Sequence, residues 1–319
     1  MKIKAIELRK DGFMTEGFAF GGEEGYLSFD NKRRYRSSLQ NYLIDTGEEV
    51  ILIDTGFPKS TPVTIPDNNT MIYPGYYVGE YVEQLEKLGY RKSDVTKIIL
   101  THKHLDHSGC LKDFPNAKIY VSEEESMSEE LKDLENLVIV KFLSGPYKNF
   151  PQSEKICDNI YMIRAKGHTN GNSLVILDDK DLYYMFQGDI TYTDEALYLN
   201  KLSIVFEDIV EARITLDRVR EFVSHNKTIY LSTHTPLGIE NLENKKILDL
   251  DNMTEPIPVK DVVVKEASGK YICQICGFVY DPMEGMLEKG IAKGTPFEAL
   301  PDDFKCPKCG VDKSKFSRG

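Results

Sequence analysis

Apolar residues in the first half of the chain fall in short runs separated by turn-forming residues, which is the pattern of strands. Three such runs open it, at 16–21, 39–45 and 50–54, the last two joined by the turn Thr46-Gly47-Glu48-Glu49. Over 78–89 the period changes: Val78, Tyr81, Val82, Leu85 and Leu88 recur at helical spacing, and Gly89 supplies the stop. The apolar run Lys97-Ile98-Ile99-Leu100 predicts the next strand. Further strands are predicted near 118–121, 137–140, 160–164, 173–177, 182–186 and 228–232, with a helix near 207–224. Strands alternating with helices predict an α/β fold with helices outside packed sheets.

The pattern fades after about residue 249, where LDLDNMTEPIPVKDVVVKEASG carries two prolines, several charges and few periodic apolar positions. The expected organisation is a catalytic domain over 1–248, a linker over 249–269 and a small module over 270–319. Fifty residues bury little core, so the module is expected to need a metal staple.

At 319 residues and 41% hydrophobic content, the chain can support a sizeable core. The net charge of -11 argues against nucleic acid or an anionic membrane as a partner. The sequence has no run of about twenty apolar residues, as a membrane span requires, and MKIKAIELRKDG lacks the apolar core of a signal peptide. A cytoplasmic protein is the expectation.

Charge and hydropathy leave the chemistry open, but the histidines narrow it. Strand 97–100 runs into Thr101-His102-Lys103-His104-Leu105-Asp106-His107-Ser108-Gly109, which gathers three imidazoles and a carboxylate within six residues. His102 and His104 alternate on an extended segment and face the same way, while Asp106 and His107 enter the next turn and reach a second point. His168, Asp189 and His234 each follow an apolar strand and complete a set of five histidines and two carboxylates. Such N/O ligands suit zinc, iron or manganese at two adjacent, partly open positions. His225, near a helix end with no partner motif, stands outside the set.

This arrangement resembles the metallo-β-lactamase superfamily over roughly residues 1–245, with the HxHxDH motif as its signature. The resemblance implies an αββα sandwich. It also implies that His102, His104 and His168 hold one metal, that Asp106, His107 and His234 hold another, and that Asp189 bridges them. Asp54, in Ile53-Asp54-Thr55-Gly56, matches the family's aspartate behind the ligands. The motif order and the segment GDITYTDE are similar to the N-acyl homoserine lactonase branch, which places Tyr192 at the substrate carbonyl. The flavodiiron branch usually has glutamate where this chain has His104, and it carries a flavodoxin domain absent here.

Four of the six cysteines form two CxxC pairs, Cys273-Gln274-Ile275-Cys276 and Cys306-Pro307-Lys308-Cys309, each followed by glycine. Tetrahedral sulfur ligation follows, and from the ligands alone zinc and iron are equal. Glycine at these places is expected to leave room for backbone amides to approach the sulfurs. The segments YICQICGFVYDP and GTPFEALPDDFKCPKCG, with Tyr271, Tyr280, Phe297, Phe304 and Phe316 as an aromatic core, resemble rubredoxin over 270–319 and imply one iron. Phe304 stands where rubredoxins usually have tryptophan. Cys110 and Cys157 stand apart and read as small buried hydrophobes.

Two functions fit. In the first, two divalent metals, zinc or iron, serve hydrolysis of a small ester, lactone or thioester, with Tyr192 polarising the carbonyl and Asp106 moving a proton to the leaving oxygen. In the second, two irons reduce O2 or NO with electrons relayed through the rubredoxin iron from an external donor. The aromatic stretch Tyr73-Pro74-Gly75-Tyr76-Tyr77 is a candidate pocket lining. A linker of roughly twenty residues spans up to about 65 Å, so the iron can reach its own catalytic site or a neighbour's, and a homodimer is expected.

Overall fold

The computed structural model describes residues 1–59, 61, 66, 69–252 and 269–318. The first sheet is built from β1 (Lys2–Thr15), β2 (Arg34–Asp45), β3 (Val50–Ile53), β4 (Ile72–Tyr77), β5 (Val95–Ile99), β6 (Lys118–Ser122) and β7 (Leu137–Val140). Its order is β4-β1-β2-β3-β5-β6-β7, antiparallel from β4 through β3 and parallel from β3 through β7. The second is built from β8 (Gly145–Tyr147), β9 (Phe150–Cys157), β10 (Ile160–Arg164), β11 (Ser173–Asp179), β12 (Leu182–Phe186) and β13 (Thr228–Leu231), in the order β13-β12-β11-β10-β9-β8.

Alternation along each strand explains the layering. On β2 and β3, Tyr42, Ile44, Ile51 and Ile53 point inward and pack with Met162, Val175, Leu177, Phe186, Ile229 and Leu231 of the second sheet. Leu43 and Leu52 point the other way and pack with Leu85 of α2 (Tyr81–Lys87). The second sheet likewise turns Ile163, Leu174 and Met185 outward onto Leu216, Val219 and Phe222 of α6 (Ile209–His225). The helices in chain order are α1 (Glu16–Phe20), α2, α3 (Leu105–Ser108), α4 (Glu123–Ser126), α5 (Asp194–Leu199), α6 (Ile209–His225) and α7 (Leu237–Glu243). Helix α6 starts where the Asp208 carboxylate accepts the amides of Val210 and Glu211. The result is the αββα sandwich expected from the sequence.

The small third sheet, in the order β15-β14-β16, uses β14 (Tyr271–Cys273), β15 (Val279–Tyr280) and β16 (Phe316–Arg318). Its core holds Tyr280, Ile291, Phe297, Leu300 and Phe304. Phe304 lies 5.8 to 6.2 Å from the rings of Phe316, Phe297 and Tyr280, so the smaller ring still closes the cluster.

One expectation needs correction. Residues 16–21 are not a strand: they form α1, and Gly17, Phe18, Ala19 and Phe20 are all buried. A short segment enclosed on every side shows no face-selecting period, and its aromatic-small alternation imitates a strand. The stretch Tyr73–Tyr77, expected to line a pocket, forms the edge strand β4, paired with β1 from Arg9↔Tyr77 to Met14↔Ile72, and of its residues Tyr77 lines a cavity. Pro74 is tolerated there because an edge strand has a free side. Most of the expected linker, 253–268, lies outside the described residues. Among the described residues no helix is long and apolar enough to cross a membrane.

Candidate metal centres

Strands β3, β5, β10, β12 and β13 all end at one edge of the sandwich, and the residues just beyond them carry the chemistry. Asp54 follows β3, His102 follows β5, His168 follows β10, Asp189 follows β12 and His234 follows β13. His104 precedes α3, while Asp106 and His107 lie on its single turn, so their side chains fan out in a new direction.

The candidate ligand atoms gather in two groups, His102, His104 and His168 in one, Asp106, His107, Asp189 and His234 in the other, with all atoms of a group within 4.8 Å of one another. Asp189 also faces the first group. Its Oδ2 lies 3.0 Å from His234 Nε2, 3.5 Å from His168 Nε2 and 3.9 Å from His102 Nε2, while Oδ1 lies 3.3 Å from His107 Nε2. Distance therefore puts Asp189 between the groups.

Hydrogen bonds behind the rings decide which nitrogens carry lone pairs. His168 Nδ1 is 3.0 Å from the Val205 carbonyl and must donate to it, leaving Nε2 bare. Thr101 Oγ1 donates to Asp54 Oδ2, so at 3.0 Å it accepts from His102 Nδ1, leaving that Nε2 bare as well. His107 Nδ1 donates to Asp54 Oδ2 at 2.7 Å, and its Nε2 is buried without a partner. Yet His102 Nε2, His104 Nδ1 and His168 Nε2 lie only 2.9 to 3.2 Å apart. Bare His102 Nε2 and His168 Nε2, 3.2 Å apart, repel unless a cation sits between them. In the second group His107 Nε2 and Asp189 Oδ1 face each other at 3.3 Å, neither with a hydrogen-bond partner among the described residues. The residues fit a pair of divalent metal ions.

Electrostatics separates the groups. Burial holds His102 well below the usual imidazole range and brings His168 down to about 4, which keeps both rings neutral. Burial also opposes charge on His107 and His234, but Asp189 and its neighbouring carboxylates outweigh it, raising His107 well above the usual range and His234 to about 9. The Asp189 carboxyl is buried too, and His234 and His107 nevertheless hold it well below the usual range.

Tyr192 is buried beside the groups, its ring 4.8 Å from that of His234 and 5.9 Å from that of His168. Burial and then Asp189 keep its phenol protonated, far above the ordinary range. Phe18 of α1 packs on its other side at 5.2 Å. His225 lies away from all this, its Nδ1 2.8 Å from the Glu221 carbonyl on α6.

One participant escaped the sequence reading. The buried carboxylate of Glu125 accepts from Lys103 N at 2.8 Å, Thr169 Oγ1 at 2.6 Å and Gly171 N at 2.9 Å, tying the His102–His104 segment to the His168 loop. Its legible signal was Ser122-x-x-Glu125, a helix-start pattern in which Ser122 caps α4. Glu125 turns away from the reciprocal cap and serves the loops instead.

In the C-terminal module the sulfurs of Cys273, Cys276, Cys306 and Cys309 all lie within 4.8 Å. Burial opposes a thiolate at Cys273, but the amides of Ile275 and Cys276 outweigh it and lower its pKa to about 7. The glycines work differently from expectation. Gly277 and Gly310 have φ of 70° and 73°, and nothing lies within 4 Å of where a Cβ would stand, so it is the left-handed turn, not crowding, that calls for glycine. Cys110 is buried with its thiol 3.1 Å from the Phe57 carbonyl, and burial pushes its pKa to about 12, as an inert packing residue requires.

The sequence pattern of the metallo-beta-lactamase superfamily matches residues 40–234, and that of rubredoxin matches 270–316. An N-acyl homoserine lactonase from a Bacillus species is 31% identical over 212 residues, 60% of this chain and 79% of that protein. A high molecular weight rubredoxin from Moorella thermoacetica is 56% identical over 52 residues, 16% of this chain; the chain spans 23% of that relative's length. Among solved structures, an N-acyl homoserine lactone hydrolase with its product N-hexanoyl-L-homoserine bound at the catalytic metal centre superposes with a TM-score of 0.59. It is 20% identical and covers 77% of this chain and 97% of its own, a likeness of fold.

Proposed function

The chain belongs to the metallo-β-lactamase superfamily and ends in a rubredoxin domain, and on that premise we propose that its catalytic half is a binuclear hydrolase of a small ester, lactone or thioester. His102, His104 and His168 would hold one metal and Asp106, His107 and His234 the other, with Asp189 within reach of both; Cys273, Cys276, Cys306 and Cys309 would hold one iron. When bound, a pair of zinc or iron ions supplies Lewis acidity toward a carbonyl and makes water nucleophilic at neutral pH.

The remaining work falls to the protein. The protonated phenol of Tyr192 donates to the oxygen that becomes negative as the carbonyl is attacked. Asp106, with its side chain 19% exposed and 3.2 Å from His234 Nε2, is the carboxylate best placed to pass a proton to the leaving oxygen. The observation carrying this reading is Asp189 lying between the two groups of candidate ligands, with Tyr192 beside it. The likeness to the Bacillus lactonase supports the substrate class. The experiment is proton release in a pH-stat from an N-acyl lactone, an aryl ester and a thioester. Turnover of at least one, lowered about 10²-fold in Tyr192→Phe with metal content unchanged, is expected. No turnover of any by the metal-loaded protein overturns the reading.

One observation favours a second reading: the fused rubredoxin domain, since a hydrolase has no use for an electron carrier. In that reading two irons reduce O2 or NO with electrons passed on by the rubredoxin iron from an external donor. Pre-reduced protein would then reoxidise its rubredoxin iron at turnover rates on mixing with O2 or NO, and His104→Ala would abolish this. Equal reoxidation in His104→Ala rejects it.

A further inference from the structure

Arg9 lies on β1 opposite Tyr77 of β4, and its guanidinium sits 4.8 Å from the centre of the Tyr77 ring. It is only 6% exposed, and among the described residues its buried Nη1 has no hydrogen-bond partner. A buried guanidinium whose donors are not all paired is costly, and proteins retain such groups where something else completes them. The obvious carboxylate does not: Glu80, which also lines the cavity described below, acts on Arg9 through space.

Arg9 stands in the wall of a cavity of about 460 Å³, of the size that takes small molecules. Phe57, Pro58 and Tyr81 give it apolar walls, Lys59 adds a second cation, and Leu287 and Lys293 of the rubredoxin domain meet its far side. None of the metal-site residues lines it.

We propose that this cavity is a second ligand site, taking an organic carboxylate whose charged end pairs with Arg9 and whose hydrocarbon body lies against Phe57, Tyr77 and Tyr81. The part of the guanidinium that faces the cavity offers a carboxylate a charge-assisted hydrogen bond. Inorganic phosphate offers the charge but nothing to the apolar walls.

The test is calorimetric titration of the full-length protein with octanoate, with octanamide and inorganic phosphate as comparisons, before and after chelation of the catalytic metals. Octanoate is expected to bind in both metal states, octanamide and phosphate each about tenfold more weakly, and Arg9→Met to weaken octanoate about tenfold or more. If Arg9→Met does not fold, Lys59→Gln at the exposed rim carries the test, with about a threefold loss expected. The proposal is overturned if octanoate binding disappears with the metals, if octanamide or phosphate binds as tightly, or if the folded variants bind octanoate unchanged.

Discussion

Asp54 Oδ2 lies 2.7 Å from His107 Nδ1, and Asp54 itself is held in the left-handed region at φ 63°. Its other partners, Thr101 N and Thr101 Oγ1, are both at 2.8 Å, so one carboxylate orients a ring in the second group and, through the Thr101 hydroxyl, the His102 ring in the first. A short polar side chain that tolerates positive φ is what the turn after β3 admits.

Replacing Asp54 by alanine therefore leaves all seven candidate ligands in place but frees the tautomer and tilt of His107. Metal affinity of the catalytic domain should fall about 10- to 100-fold, read as the chelator concentration that strips half the metal. Unchanged retention would mean that the ring is held by packing alone.

Asp194 gives a pH prediction. Its carboxylate accepts from Ser232 Oγ at 2.5 Å and Asn241 Nδ2 at 2.6 Å, anchoring the end of β13 that leads to His234, and burial raises its pKa to about 7. A carboxyl whose pKa is higher folded than unfolded stabilises the fold fully below the unfolded value, and that contribution is lost as pH rises to about 7. Chemical denaturation from pH 4 to 8 should show Asp194→Asn losing less stability over that rise than the parent protein, by up to about 4 kcal/mol. Parallel curves would contradict the assignment.

In the C-terminal domain, two buried and two more accessible cysteines close one tetrahedral sulfur site. The oxidised protein should be red from sulfur-to-iron charge transfer and bleach on reduction. Serine at Cys309 should shift or abolish the visible bands. A colourless protein carrying zinc after growth with ample iron would contradict the iron assignment.

How much of this could be read beforehand follows from where each residue sits. His102, His104, Asp106 and His107 are contiguous in sequence, and His168, Asp189 and His234 each close an apolar strand, so local pattern suffices to nominate them. Glu125 and Arg9 could not be nominated, because their roles arise only when distant loops or strands meet. A charged residue on a strand such as β1 reads as solvent-facing, yet β4 covers it. Helix α1 was misread for a related reason: enclosure by Tyr35 and Tyr192 erases the one-sided pattern on which a helix is recognised.

The most direct test of the account is the metal content of anaerobically purified Asp189→Ala beside the parent protein and His225→Ala. A bridging Asp189 predicts that the parent and His225→Ala carry two catalytic metals and one rubredoxin iron, while Asp189→Ala loses catalytic metal and activity together and keeps its red iron. Full retention of the catalytic metals in Asp189→Ala would show that the two groups are not joined through this carboxylate.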